Sequence, residues 1–378
     1  MPFHYAALLM TVEFHPVPPI CVSSRRLVGA RAFHTLPEDF GSHKRSPYLD
    51  APIFIVGGPR SGTTLLRNML NRHPAIAICR ETEFFHWIYK RRRTFGSLSD
   101  PGNRQRVVKQ YLATQRMQRM RLDLEALGAT LLQEATSYEA MFLSLLRFFA
   151  RAHGKRRCGE KTPHNALIAE MLSEWYPDAV VIHLLRDPRD AVASMLRMPW
   201  APRSVVSNAR TWLRFNLGGW RSRHRPNYLL VRYEELVTEP EAQLRRICAF
   251  AGEEYSPAML VPNWDPTAEL FWFQRAEEPV TTERLGKWRD ELTPNLVALV
   301  EWVVGRYMKT FGYEAVGGRP TSLSLLRELA SAVSYAVGKR VEQFPAVWYY
   351  LIRSTNIVRE EAARERYLKS TAAHRSRP

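Results

Sequence analysis

Apolar runs alternate with amphipathic stretches along the middle of the chain, and that alternation sets the expected architecture. Ile53–Val56 is an unbroken apolar run ending at a Gly/Pro/Ser turn, which reads as a short buried strand. Beyond it Leu65, Leu66, Met69 and Leu70 recur at helical spacing, so a helix over Thr63–Asn71 lays one face on a sheet. Ala75–Cys79 is a second apolar run. Ala179–Leu185 is continuous, rich in β-branched residues and broken only by His183, the pattern of a strand buried on both faces. Tyr228–Arg232 is another short strand. Helices are expected over Arg189–Leu196, Val205–Trp220 and Pro240–Ala251, the last with Leu244, Ile247 and Phe250 on one face. Strands alternating with helices predict a three-layer α/β/α fold with a mainly parallel sheet. Residues 84–152 break the alternation. Met117–Leu132 and Tyr138–Phe149 have helical spacing, Asp100-Pro101-Gly102-Asn103 reads as a turn, and the whole stretch predicts a helical cap over a cleft.

The two ends differ from this middle. Residues 1–48 lack periodicity and carry Pro16, Pro18, Pro19 and Pro37, so a loose extension is expected before a domain over 49–316. Residues 317–378 predict a basic helical extension carrying Trp348-Tyr349-Tyr350. It is expected to pack as an extra layer, with peripheral membrane contact as the alternative. The formal charge of +17 on 378 residues points to anionic partners. Cys21, Cys79, Cys158 and Cys248 are scattered, with neither a C-x-x-C pair nor zinc spacing, and read as reduced core residues. The apolar run Tyr5–Met10 is short, lacks a basic leader and is followed by Glu13, a poor export signal. With no stretch of membrane-spanning length, a cytoplasmic location is expected.

The chemistry concentrates where the first strand ends. Gly57-Gly58-Pro59-Arg60-Ser61-Gly62-Thr63-Thr64 joins a strand to a helix through a glycine-rich turn. Such a junction converges backbone N–H groups and a helix N-terminus on an anion. The spacing resembles a Walker A loop, but the lysine slot holds Thr63 and the nearest cation is Arg60. A second junction, Leu184-Leu185-Arg186-Asp187-Pro188-Arg189-Asp190-Ala191-Val192-Ala193-Ser194, places Arg186 at the C-terminal end of a strand, where open α/β sheets bind ligands. Ser194 lies two helical turns on. Arg186 and Ser194 suit a second phosphate, so the donor expected has two anionic ends.

Together, P-R-S-G-T-T-L and R-D-P-R-D-A-V-x-S resemble the sulfotransferases that use 3′-phosphoadenosine 5′-phosphosulfate (PAPS), most closely the tyrosylprotein and glycan-type branches and their bacterial relatives. The likeness covers about residues 52–313. It implies that Arg60, Ser61, Gly62, Thr63 and Thr64 hold the 5′-phosphosulfate and that Arg186 and Ser194 hold the 3′-phosphate. It implies a donor-binding role for Tyr233 in Val231-Arg232-Tyr233-Glu234-Glu235-Leu236, and a closing loop at Arg284-Leu285-Gly286-Lys287-Trp288 with cationic contacts from Arg284 and Lys287. It implies Glu81, in Arg80-Glu81-Thr82-Glu83-Phe84-Phe85, as the general base and Lys161, in Gly159-Glu160-Lys161-Thr162-Pro163, as a contact to the transferred group.

Sulfuryl transfer runs in line through a loose transition state, as phosphoryl transfer does. The sulfuryl group carries less charge, so backbone donors and side-chain cations suffice and no metal is expected. Burial is expected to raise the Glu81 pKa toward working pH. Glu83 is expected to be a solvated or structural carboxylate. His164 is the competing base, while His73 and His183 read as structural, Trp212, Phe215 and Trp220 as core, and Lys90–Arg93 as a solvated basic patch. The acceptor expected is a hydroxyl on a small molecule, glycan or peptide; the oligomeric state is left open. The rival reading is a P-loop kinase or nucleotide hydrolase, against which the missing lysine argues. Nucleic acid is not an expected partner, because stacking-aromatic and zinc motifs are missing.

Overall fold

The computed structural model describes residues 51–198, 201–261, 280–328 and 330–331. The N-terminal extension, Cys21 and Trp348-Tyr349-Tyr350 lie outside the described residues. Five strands form one wholly parallel sheet: β1 (Ile53–Gly57), β2 (Ile76–Cys79), β3 (Arg157–Lys161), β4 (Val180–Leu185) and β5 (Tyr228–Arg232). Their spatial order is β2-β3-β1-β4-β5, with β1 central. The chain builds one half of the sheet and then the other, so the order reverses at β1. Open α/β sheets bind ligands outside the strand C-termini at such a switch point.

Alternation along β1 sends Phe54 and Val56 to one face and Ile53 and Ile55 to the other, all fully buried. Phe54 and Val56 join a core shared with α7 (Tyr138–Ala152) and with Phe215 of α10 (Val205–Trp220). Ile53 and Ile55 join a core with α1 (Thr63–Asn71) and α12 (Pro240–Ala251). A further core unites α9 (Pro188–Leu196), α10 and α14 (Pro294–Val304). This is the expected three-layer α/β/α arrangement, and the predicted bounds of α1, β5, α10 and α12 match the observed ones.

Three local expectations need correction. Asp100–Asn103 is not a free turn but the cap and first turn of α4 (Pro101–Leu112): Asp100 accepts the Asn103 N–H at 2.7 Å and Pro101 takes the first helical position. Met117–Leu132 is two helices, α5 (Gln115–Gln118) and α6 (Leu124–Glu134). Arg121 breaks the run at φ 54°, and Asp123 caps α6 by accepting from Glu125 and Ala126. Finally, β3 has no apolar run at all. It reads Arg-Cys-Gly-Glu-Lys, yet every residue is buried between β2 and β1.

Candidate active site

Each strand delivers one part of the site at its C-terminal end. Across the sheet these are Glu81 beyond β2, Lys161 at the end of β3, the Gly58–Thr64 turn beyond β1, Arg186 beyond β4 and Tyr233 beyond β5. Residues predicted from motifs far apart in sequence therefore line one edge.

The β1–α1 turn is shaped by glycine. Gly57 sits at φ 149°, where a Cβ would run into the Leu184 carbonyl of the neighbouring strand. Gly62, the residue before α1, sits at φ 90° with the Tyr233 ring where its Cβ would be. Arg60 adopts a left-handed φ of 65° without being glycine, a cost held by the surrounding structure and often met at functional sites. Its carbonyl accepts from Arg186 Nη1 at 3.2 Å, and its Nε donates to Ser194 Oγ at 3.0 Å. The two anion motifs are thus one bonded unit, although the resemblance assigns Arg60 and Ser194 to opposite ends of a donor. The Arg186 guanidinium stacks 4.4 Å from the Tyr233 ring centroid.

Does this edge fit an anion? Ser61 Oγ and Arg186 Nε are buried without a protein partner. Buried polar groups ordinarily find one, so both are poised for a ligand. The first N–H groups of α1 lack intrahelical acceptors and point the same way. A hydroxyl and a guanidinium N–H with open hydrogen-bonding capacity suit a phosphate or sulfate group.

The late loop meets this unit differently from expectation. The Arg284 carbonyl, not its side chain, accepts from Arg186 Nη2 at 2.8 Å. The Arg284 guanidinium lies 3.7 Å from Glu291, and Lys287, 44% exposed, lies 3.5 Å from Asp290. Asp190, inside the second motif, accepts from the N–H groups of Gly286 and Trp288, both at 2.9 Å. Arg189 is clasped by Asp187 at 2.7 Å and Glu301 at 2.9 Å, with its guanidinium over the Trp288 ring. Sequence reasoning read these charges as ligand contacts or missed them. Their paired spacing in R-D-P-R-D was the available signal.

On the other side of the turn, Lys161 Nζ donates to Glu81 Oε1 at 2.6 Å. Lys161 is only 3% exposed. Burial raises the Glu81 pKa, but the Lys161 charge and hydrogen bond, with Arg116 and His164, outweigh it and hold the carboxyl below its ordinary value. The expected upward shift is therefore overturned, because sequence could not show the carboxylate meeting a buried ammonium. Burial also lowers the Lys161 pKa, with Glu81 offsetting part of the effect. Behind the pair, Glu160 is fully buried; burial raises its pKa while hydrogen bonds from Thr82 and Asn165 oppose the rise.

Glu83 adopts a left-handed φ of 57° and its carboxylate lies 3.6 Å from Arg116. His164 is exposed, its ring edge-on to Phe215. His183 bonds Tyr228 and Asn216, and His73 bonds the Glu254 carbonyl and the Ala75 N–H. Cys79, Cys158 and Cys248 are buried and free.

Known proteins resemble this chain in sequence and in fold. The model of a family described as the sulfotransferase family matches residues 52–257. Protein-tyrosine sulfotransferase A of Caenorhabditis elegans is 28% identical over 298 residues, 72% of this chain and 66% of that protein. Nodulation protein NoeE of Sinorhizobium fredii is 29% identical over 304 residues, 69% of this chain and 65% of that protein. The chain thus spans just under two thirds of these relatives. The solved sulfotransferase domain from the Synechococcus PCC 7002 olefin synthase shares the fold, with a TM-score of 0.51 at 23% identity, covering 72% of this chain and 98% of that domain.

Proposed function

The chain belongs to the sulfotransferase family, and from that premise we propose that it moves a sulfuryl group from PAPS to an acceptor hydroxyl. The observation that carries this reading is the row of strand ends. An anion cradle with an orphaned serine hydroxyl lies between a carboxylate–ammonium pair on one side and a buried arginine on the other.

In this reading the first N–H groups of α1, with Arg60, Ser61, Thr63 and Thr64, bind the 5′-phosphosulfate. Arg186 and Ser194 bind the 3′-phosphate, and Tyr233 props both Gly62 and Arg186. The acceptor oxygen attacks sulfur as the bond to the 5′-phosphate oxygen breaks, and Glu81 receives the acceptor proton. Lys161 stabilises the charge that shifts to the leaving oxygen. As Lys161 turns from Glu81 toward that charge, the burial around Glu81 is no longer offset and its basicity rises. The cations of the site do the work a metal does in phosphoryl transfer, so a chelator should leave the rate unchanged. The acceptor is a hydroxyl. Protein tyrosine, named in the nematode relative, is the first to try, ahead of glycans and small phenols.

Transfer of label from [35S]PAPS to a set of tyrosyl peptides, glycans and phenols tests the proposal, with Glu81→Ala as control. Label transfer that depends on Glu81 supports it. Magnesium-dependent ATP turnover without any effect of PAPS would replace it with a nucleotide kinase or hydrolase.

A further inference from the structure

Glu160 has no part in the chemistry above, yet both its oxygens are engaged. Its Oε1 accepts the Thr82 N–H at 2.9 Å and also the Thr82 hydroxyl. Its Oε2 accepts Asn165 Nδ2 at 2.5 Å. Thr82 is gripped further: its carbonyl accepts from the Tyr111 hydroxyl at 3.0 Å, and its own hydroxyl accepts the Phe84 N–H at 3.2 Å.

The placement gives these bonds their meaning. The β2–β3 ladder ends where Cys79 faces Glu160. Beyond it the Glu160 carboxylate takes over and bonds Thr82, the residue next to Glu81. Glu160 is itself the residue next to Lys161. One buried group therefore ties together the two strand exits that carry the ion pair. Burying a carboxylate costs several kcal/mol unless donors surround it, and an apolar side chain would fill the space more cheaply if packing were its only duty.

We propose that Glu160 is a positioning residue, which through Thr82 and Asn165 sets the two strand exits so that Lys161 and Glu81 meet. The proposal builds on the assignment of Glu81 as base. It concerns geometry, so it can be read without acceptor or donor.

The readout is the titration of Glu81, followed by carboxyl NMR of the full chain carrying 13C-labelled glutamate, with Glu81→Gln giving the assignment. The charged groups around Glu81 are Lys161 from β3, Arg116 from α5 and His164 from the segment after β3; Arg67 and Arg80 face Lys161. Glu160→Leu removes the grip on Thr82. If Glu160 positions the pair, Lys161 separates from Glu81 and the midpoint rises by about one pH unit. Loss of a neighbouring negative charge alone would move it down, so the direction distinguishes positioning from simple electrostatics. Thr82→Val should shift it the same way by less, and Thr82→Ser, which keeps the hydroxyl, should leave it in place. A folded Glu160→Leu with an unmoved or lowered midpoint overturns the proposal. If that variant does not fold, an unmoved midpoint in Thr82→Val does so. Binding of adenosine 3′,5′-bisphosphate (PAP) is measured separately. Its failure in the wild type would sink the sulfotransferase reading, while the Glu81 titration still decides the role of Glu160.

Discussion

The two halves of the site are built on opposite principles. The proposed donor half, around the β1–α1 turn and Arg186, is made of backbone geometry: two glycines at positive φ, a helix N-terminus, and an arginine held by the carbonyls of Arg60 and Arg284. The proposed acceptor half, around Glu81 and Lys161, is made of paired side-chain charge beside the buried carboxylate of Glu160. A backbone cradle binds whatever anion fits and needs little from any one side chain. An ion pair sets the basicity of one group and is sensitive to each partner. Damage to the first should therefore appear as lost binding, and damage to the second as lost chemistry with binding intact.

The largest expected effect lies in the acceptor half. Glu81→Gln should cut label transfer by about 10²–10⁴-fold and leave PAP affinity within about twofold, since its partner Lys161 keeps its charge and the cradle is untouched. Equal loss of both would erase the distinction between the halves. In the donor half, Gly62→Ala forces a Cβ into the Tyr233 ring at φ 90°. It should abolish PAP binding and lower unfolding stability in urea by about 1–3 kcal/mol. Arg186→Gln keeps the shape but loses the charge, and PAP should bind about 10–100-fold more weakly, with the residual turnover at saturating PAPS less affected.

A subtler contrast is the pH dependence. Because Lys161 holds the Glu81 carboxyl low, the proposed base stays ionised and the acid limb of kcat/KM for the wild type should fall below the ordinary carboxylate range. Lys161→Met removes the offsetting charge, leaves burial in control and moves that limb upward. The linkage has the same sign: a carboxyl depressed on folding adds stability above its unfolded pKa, lost as pH falls through the folded value. The variant should lose that acid-sensitive increment. The smallest effect is expected from Lys287→Ala, since its ammonium is exposed beside Asp290. PAP affinity should change by less than about twofold.

The same contrast explains what could be read from the chain. Backbone devices leave sequence marks: the glycines and Thr63–Thr64 of the turn, and the apolar runs of β1, β4 and β5, predicted the strand–turn–helix junction and the parallel sheet. Charge devices leave few. β3 was invisible because Arg157, Glu160 and Lys161 break any apolar pattern, although the strand is wholly buried. The direction of the Glu81 shift depended on a partner eighty residues away in sequence. Asp190 was read only as part of a motif, whereas it holds the amides of the late loop. Lys287, chosen for its charge, faces its own helix turn. A charged residue reveals its role only when its partner is known, and the partner is a property of the fold.

The proposal that the strand ends form a PAPS site is tested most directly by the melting temperature of the full chain against PAP concentration. Binding to the folded state alone must stabilise it, by about 2.7 kcal/mol at a hundred times Kd. A rise that continues with the logarithm of concentration, persists in Glu81→Gln and shrinks in Arg186→Gln is the predicted result. A wild-type melting temperature unmoved by millimolar PAP would contradict it.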